Sequence, residues 1–419
     1  MKSPQLRNNW MLGINNKDDW RRLANGQPIA GQPNRGAVRE AVNVNANSDG
    51  TLSLRAGYEQ IYSGTAVRGV LALGTRLLIA DGGQLLELDL VTNSTRLLRA
   101  IDDDGAFVGD VLNGELFFCT ASETLRYDGQ TVRAWGVPTV TTQPLPSIVG
   151  GGMPAGSYQC AVTLVNAQGE EGGTVRPLVM TVPEGSGLSF TLPEPPPGGA
   201  VRVYVGSREG STLYLQDEAN DSLTITSVHD NGARLETFAL REPVVAQSVI
   251  AYNGTLLAVN GSTISMTLPM RPHLRNSLGY VQFPDVVDVA VPVASEGARG
   301  LFVAAGDQTF FLTNLETDDI NQVTPKPYGA VPGTAVCLPN GGATWMTRYG
   351  QAVGQPDGSI ALLSADRFVP ESASSGTSGV LEHDGQQIVV TATRGASRPS
   401  SLAASDYYIS EIITHEPPA

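Results

Sequence analysis

The sequence predicts an all-β chain, a five- or six-bladed β-propeller carrying an inserted immunoglobulin/fibronectin III-like β-sandwich. Three observations predict it. First, Asp-Gly and Asn-Gly pairs punctuate short apolar runs, beginning at Asp49, Asp81, Asp104, Asp128, Asp357 and Asp384 and at Asn25, Asn113, Asn231, Asn253, Asn260 and Asn340. Type I′ hairpin turns need positive φ at both central residues, and these pairs tolerate it best. Second, 47 glycines and 27 prolines in 419 residues suit a turn-rich β protein better than a helical one. Third, groups of four short strands recur roughly every 30–40 residues, as in propeller blades.

Residues 1–40 are polar and irregular and read as an extended N-terminal arm. Trp10 and Trp20 stand out in it. They can pack on their own domain or on a neighbouring subunit, which makes them candidates for a subunit-contact arm. Residues 41–136 form the first part of the propeller. A hairpin turns at Asp49-Gly50, and a four-strand block follows from Val67 to Leu98. In it Leu86, Leu88 and Leu90 alternate with Glu87 and Asp89, the period of a half-buried strand. A second block runs from Phe107 to Trp135.

Residues 137–245 break the pattern. A Pro/Thr/Gly-rich stretch leads into about seven strands in roughly 100 residues, which suits a sandwich. Gly156-Ser157-Tyr158 opens a strand that meets the turn Asn166-Ala167-Gln168-Gly169-Glu170-Glu171, and the stretch 140–243 resembles fibronectin type III modules. Residues 246–419 resume the propeller with Val249–Tyr252, Leu256–Val259, Val287–Val291, Leu301–Ala305, Ala343–Met346 and Gln387–Ala392. The hairpin at 41–55 is expected to complete the last blade, so that no sheet edge stays open.

Composition limits the function classes. The net charge is −14. Gripping nucleic acid through its phosphates needs clustered cations, so that role is not expected. An acidic wall does let DNA pass without sticking, although solubility alone also accounts for the charge. Cys119, Cys160 and Cys337 have neither a disulfide framework nor zinc spacing. Cys119 and Cys160 read as buried strand residues. No apolar signal region opens the chain and no run reaches transmembrane length, so cytoplasmic synthesis is expected.

Little chemistry is visible. There is no phosphate-binding glycine loop and no Gly-x-Ser-x-Gly elbow. His229, His273, His383 and His415 lack metal spacing. Three of these four are expected in turns or at the surface, and His383-Asp384-Gly385 reads as a hairpin turn. Asp102-Asp103-Asp104 lacks the alternate ligands and distal bidentate acid of a calcium loop. It reads as a solvated acidic turn and as a candidate acidic loop at a channel or rim. Ser48-Asp49-Gly50-Thr51 is faintly similar to a sialidase Asp-box turn, with the wrong spacing and no tryptophan after it. No catalytic residue, cofactor or metal is expected.

Several segments together resemble a known family. Gly13-Ile14-Asn15-Asn16, Arg39-Glu40-Ala41-Val42-Asn43-Val44, Asp49-Gly50-Thr51-Leu52 and Arg55-Ala56-Gly57-Tyr58 resemble the opening of nozzle, or tail tubular B, proteins of short-tailed bacteriophages. Leu268-Pro269-Met270-Arg271-Pro272-His273-Leu274 with Tyr280-Val281-Gln282-Phe283-Pro284 resembles a segment those proteins carry between blades. The resemblance implies a structural virion protein in the tail, assembled in the host cytoplasm. It implies a homohexameric ring below the head-to-tail adaptor, a platform for tail fibres or spikes, and a channel through which DNA passes without specific binding. A closed ring would offer the tryptophan arm a partner surface. Two other classes compete: a ligand-binding propeller (a lectin or adhesin) with the sandwich as spacer, and a glycan-cleaving propeller, which would need paired carboxylates.

Overall fold

The structure, a computed structural model, describes residues 10–18, 36–42, 44–47, 49–54, 59–317, 319–363, 365–370, 372–383, 386–395 and 407–414. Their regular structure is all β-strand. Two compact units emerge: Met1–Ser63 with Phe283–Ala419, and Gly64–Gln282. The cut does not follow the expected boundaries at 136/137 and 245/246, because the inserted module shares a unit with sheets on both sides of it in sequence.

The first unit opens with a hairpin of β1 (Val44–Ala46) and β2 (Leu52–Leu54). Among the described residues these strands pair only with each other, and the expected completion of the last blade by this hairpin is not seen there. Its strands are three residues long and its bonding is local. Gly50 N donates to Asn47 O at 2.9 Å, and the Asp49 carboxylate accepts from Thr51 N at 2.9 Å.

The second unit begins with two four-stranded meanders. One is β3 (Val67–Leu73), β4 (Arg76–Asp81), β5 (Gln84–Asp89) and β6 (Ser94–Ala100). The other is β7 (Val108–Leu112), β8 (Glu115–Cys119), β9 (Thr124–Tyr127) and β10 (Val132–Ala134). Each runs in sequence order, as a blade does. Strand β8 explains the stacking. Leu116 and Phe118 enter a core shared with Leu78, Ala80 and Leu85 of the first meander. Phe117 and Cys119 point to the opposite face, into a core with Trp135, Val249 and Leu256. A strand apolar on both faces is the middle layer of a stack, and alternation along the strand assigns each residue its side.

The inserted module has the expected seven strands in two sheets. These are β11 (Ser147–Met153), β12 (Gly156–Val165), β13 (Leu178–Val182), β14 (Ser186–Thr191), β15 (Ala200–Gly206), β16 (Leu213–Ala219) and β17 (Ser222–Ile225). One sheet has the order β11-β14-β17 and the other β13-β12-β15-β16. Their inner faces close over one core that includes Tyr158, Val162, Phe190, Val203 and Ile225. The chain then returns through β18 (Leu240–Arg241), β19 (Ser248–Tyr252), β20 (Thr255–Asn260), β21 (Thr263–Leu268) and β22 (Arg271–Gln282). The short β18 adds a fifth strand to that sheet, beside β22.

The rest of the first unit repeats the blade pattern. It has β23 (Val287–Ser295), β24 (Ala298–Ala305), β25 (Gln308–Thr313) and β26 (Asn321–Lys326), then β27 (Val336–Cys337), β28 (Ala343–Thr347), β29 (Gly350–Gly354) and β30 (Ile360–Leu362). A sheet of β31 (Ser375–His383), β32 (Gln386–Arg394) and β33 (Tyr407–Thr414) ends it. Phe302, Phe311 and Trp345 fill the core between the first two of these sheets. Leu338, Val353 and Val389 join the second to the third. The chain is therefore all-β, built of propeller-type blade sheets with an inserted sandwich.

The turn chemistry corrects one expectation. Only Asn113-Gly114 and Asn253-Gly254 place both residues at positive φ, as type I′ requires. At Asp49, Asp128 and Asp357 the glycine alone does so, and the carboxylate accepts the N–H two residues on at 2.9, 2.9 and 2.8 Å. In these turns the aspartate serves as a cap. Asn231-Gly232 has no positive φ, while Asn25-Gly26 and Asp384-Gly385 lie outside the described residues.

Candidate functional site: the blade–sandwich junction

A cluster of buried charge lies where the sandwich meets the blade sheets of its own unit. Arg126, on β9, is 3% exposed. On its strand Leu125 and Tyr127 enter the blade core, so alternation turns Arg126 to the other side. There it meets Glu170 of the sandwich. Arg126 Nη1 donates to Glu170 Oε1 at 2.9 Å and Nη2 donates to Oε2, a fork-on-fork pair. Glu115 on β8 stands 3.8 Å from the same guanidinium and binds Arg133 at 2.9 Å, and Arg133 also reaches Asp128 at 2.8 Å. Arg126 and Arg133 are paired across β9 and β10, so Glu115 separates two like charges that would otherwise face each other.

A local turn aims Glu170. Gly169 N donates to Asn166 O at 2.9 Å, and Asn166 N to Glu170 O at 3.0 Å. The Asn166 side chain accepts from Glu170 N at 3.0 Å and donates to Glu170 Oε2 at 2.6 Å. The next residue faces its own module. Glu171 accepts from Thr163 Oγ1 at 2.6 Å, Tyr204 OH at 2.8 Å and Arg202 Nη1 at 2.9 Å. Two adjacent acids thus point to opposite sides, one bolting the sandwich to β9 and one bracing the sandwich itself.

His273, on β22, closes the cluster. It is 7% exposed, and its Nδ1 lies 3.7 Å from Glu170 Oε1, too far for a hydrogen bond. Burial lowers its pKa below the usual histidine value, against the pull of Glu170. For Glu170, burial raises the pKa, but hydrogen bonds from Arg126 and Asn166 outweigh it and hold the carboxyl below the usual range. The cluster is therefore an anion and a cation locked together beside a histidine that resists protonation.

The two crossing strands of chain are tied as well. Trp135, fully buried, donates from Nε1 to Pro272 O at 2.7 Å. Thr139 N donates to Glu242 Oε2 at 3.0 Å, Glu242 N donates to Thr139 Oγ1 at 3.2 Å, and Arg275 Nε donates to Glu242 O at 3.0 Å. Thr174 bridges Val140 on one side and Phe238 on the other. The backbones approach so closely that a Cβ on Gly173 would sit 1.9 Å from Leu240 O. Only glycine fits there.

The residues singled out from sequence lie elsewhere. Trp10 is half-buried and its N–H donates to Gly50 O at 2.7 Å, so this part of the arm docks on its own chain. Asn16 continues the docking: its N donates to Arg367 O at 3.0 Å, and its side chain exchanges hydrogen bonds with Val369 at 2.9 and 3.0 Å. Trp20 lies outside the described residues. Asp102 holds the loop between the first two meanders. Its carboxylate accepts from Ser122 Oγ at 2.8 Å and Thr120 Oγ1 at 2.9 Å, and these bonds, Ser122's foremost, lower its pKa. Arg68 donates to the carbonyls of Asp102, Asp104 and, at 3.2 Å, Gly105. Asp103 and Asp104 are exposed. His273 was not distinguished from the other histidines by spacing, and Arg126 looks solvent-facing on its strand until the insert covers it. The one available signal was the Asn166–Glu171 turn.

Among the described residues no group of three His, Cys, Asp or Glu side chains could hold a metal ion, and no helix is long and apolar enough to cross a membrane. No family model matches the chain, and no curated protein matches it. Solved structures do. YjhT is 9% identical, with a TM-score of 0.35, over 84% of this chain and 100% of that one. Virginiamycin B lyase from Staphylococcus aureus is 10% identical, with a TM-score of 0.30, over 80% of this chain and 93% of that one. The extracellular domain of the system BT4673 from B. thetaiotaomicron is 10% identical, with a TM-score of 0.25, over 88% of this chain. The chain spans 61% of the length of that domain. Likenesses this distant carry no argument about activity or partners.

Proposed function

We propose that this chain is a structural subunit of a short-tailed bacteriophage tail, a nozzle-type protein whose ring lets DNA pass and whose sandwich serves as a platform for fibres or spikes. The observation that supports it is the junction. A module inserted through two chain crossings could swing on them, and here it is fixed by a forked buried ion pair, a tryptophan and a glycine-tight backbone crossing. A part that transmits load without performing chemistry benefits from such rigidity. The net charge of −14 is compatible with a wall along which DNA slides. The sequence resemblance supplies the partners: copies of itself, a head-to-tail adaptor, and fibre or spike proteins.

Native mass spectrometry and electron microscopy of the purified chain test the proposal. A closed ring of identical subunits is the expected result. A monomer at every concentration, together with absence of the chain from tail particles, overturns it.

A further inference from the structure

Hairpin tips in this chain follow a rule that one of them breaks. Where two residues join paired strands, at least one stands at positive φ: Gly74, Gly82, Asn113 with Gly114, Asn253 with Gly254, Gly261, Met270, Gly297 and Gly306. Positive φ at both loop residues or at the first matches the twist of the flanking strands, while Met270 and Gly297 carry it at the second. Among the described residues the tip between β28 and β29 is the exception. Thr347 pairs with Gly350, and the loop residues Arg348 and Tyr349 both keep negative φ. Thr347 holds the turn instead, its Oγ1 donating to Gly350 O at 2.8 Å and accepting from Tyr349 N at 3.0 Å. As at Pro269-Met270, two large side chains form this tip, and the left-handed residue comes one position later, at Gly350 with φ 124°.

These side chains belong to a cleft within the first unit. The rings of Tyr349 and Tyr328 meet at 74° with centroids 6.3 Å apart. Arg348 lies 4.8 Å over the Tyr349 ring and pairs with Asp307 at 3.0 Å. Pro327, Leu362 and Val369 supply apolar walls, and the cleft holds about 280 Å³. Its second cation is Lys17, one of three lysines in the sequence. The docked arm brings it there, and Lys17 Nζ donates to Ala365 O with further N–H groups to offer.

The chemistry of the lining selects a ligand. An aromatic corner takes the flat C–H face of a sugar ring, and the guanidinium donates to hydroxyls and carboxylate in a fixed fork. Two cations in an acidic chain favour an anion. The Arg348–Asp307 pair is exposed on both sides, so it is weak and exchangeable for a ligand carboxylate. We infer that this cleft binds an acidic saccharide, a uronate-type ring stacked against Tyr349 and Tyr328 with its carboxylate on Arg348 and Lys17. The inference is independent of ring assembly, because the site is complete within one chain.

Titration calorimetry of the full chain with tetragalacturonate tests it, with maltotetraose as the neutral control and hexaglutamate as the acidic peptide control. Saturable binding of the uronate is expected, with maltotetraose and hexaglutamate each weaker by about tenfold or more, a difference calorimetry resolves. Tyr349→Ala and Arg348→Gln should each weaken uronate binding by about tenfold, while Tyr349→Phe keeps the ring and stays within about threefold of the original. No saturable uronate binding, equal binding of hexaglutamate, or binding indifferent to both weakening variants overturns the inference. Each of these three results leaves the oligomer measurement untouched.

Discussion

The blade–sandwich junction and the Arg348–Tyr349 tip both build on arginine, to opposite ends. At the junction Arg126 is buried and its guanidinium is forked onto one carboxylate. At the tip Arg348 is exposed, stacked on a tyrosine and paired with an exposed aspartate. Burial makes the first contact stiff and makes its loss costly, because an abandoned charge has no water to turn to. Exposure makes the second contact weak and replaceable. The same side chain serves as a bolt in one place and as an available donor in the other, and solvent access decides which.

The largest expected effect breaks the bolt. Arg126→Ala leaves Glu170 without its forked partner and should cost about 3–5 kcal/mol in urea unfolding. Arg126→Met with Glu170→Gln removes both charges and should recover most of that loss. A single-variant loss below about 1 kcal/mol would place the junction with ordinary surface pairs.

Acid should loosen the junction next. Glu170 has a depressed folded pKa, so its contribution is present above the unfolded carboxyl value and is lost as pH falls through the folded one. His273 also has a depressed folded pKa. Its unfolded form takes up a proton below about pH 6.5 while the folded form resists, so stability falls from there downward. Both groups act in one direction. Unfolding curves measured from pH 7.5 to 4 should show a steady decline, and His273→Gln should flatten its upper part. A decline unchanged in that variant would remove His273 from the cluster.

A smaller effect is expected at the tip. Arg348→Asn with Tyr349→Gly gives β28 and β29 the loop used at Asn113-Gly114. Stability should stay level or rise by about 0.5 kcal/mol, with saccharide binding lost. A clear loss of stability would make the tip a structural part after all.

The smallest effect is a chemical contrast. Burial pushes the Cys119 and Cys160 thiols up, to about 11 and about 12, while Cys337 is exposed. Native protein should therefore take up one equivalent of iodoacetamide, at Cys337, and denatured protein three. Native labelling of Cys160 would mean that the sandwich core opens.

Much of the fold was legible because strand patterning is local. The strand around Leu86 and Leu88 and the Leu116–Cys119 run, apolar on both faces, form where expected. But Glu87, expected on the outer face, is buried and accepts from the Tyr127 hydroxyl, and Leu90 lies past the strand and is exposed. The break after Trp135 and the seven strands of the insert were equally visible. Turn type was less so, since Asp-Gly pairs serve a type I′ turn and a carboxylate-capped turn alike, and backbone φ separates them. The site was legible only in part. The Asn166–Glu171 turn was visible as a turn of the insert, but the partner of Glu170 lies 44 residues back on another sheet.

By itself the sequence determined the β class, the blade blocks, the inserted module and the burial of Cys119 and Cys160, because period-two alternation and turn residues act over a few positions. Tertiary structure alone decided that Arg126 is a buried bolt, that Asp102 is a loop tie, that Asn16 docks the arm on its own chain, and that Lys17 joins Tyr328 and Tyr349 in one cleft. Those outcomes depend on which distant surface covers a side chain, and burial sets the strength of a charge contact.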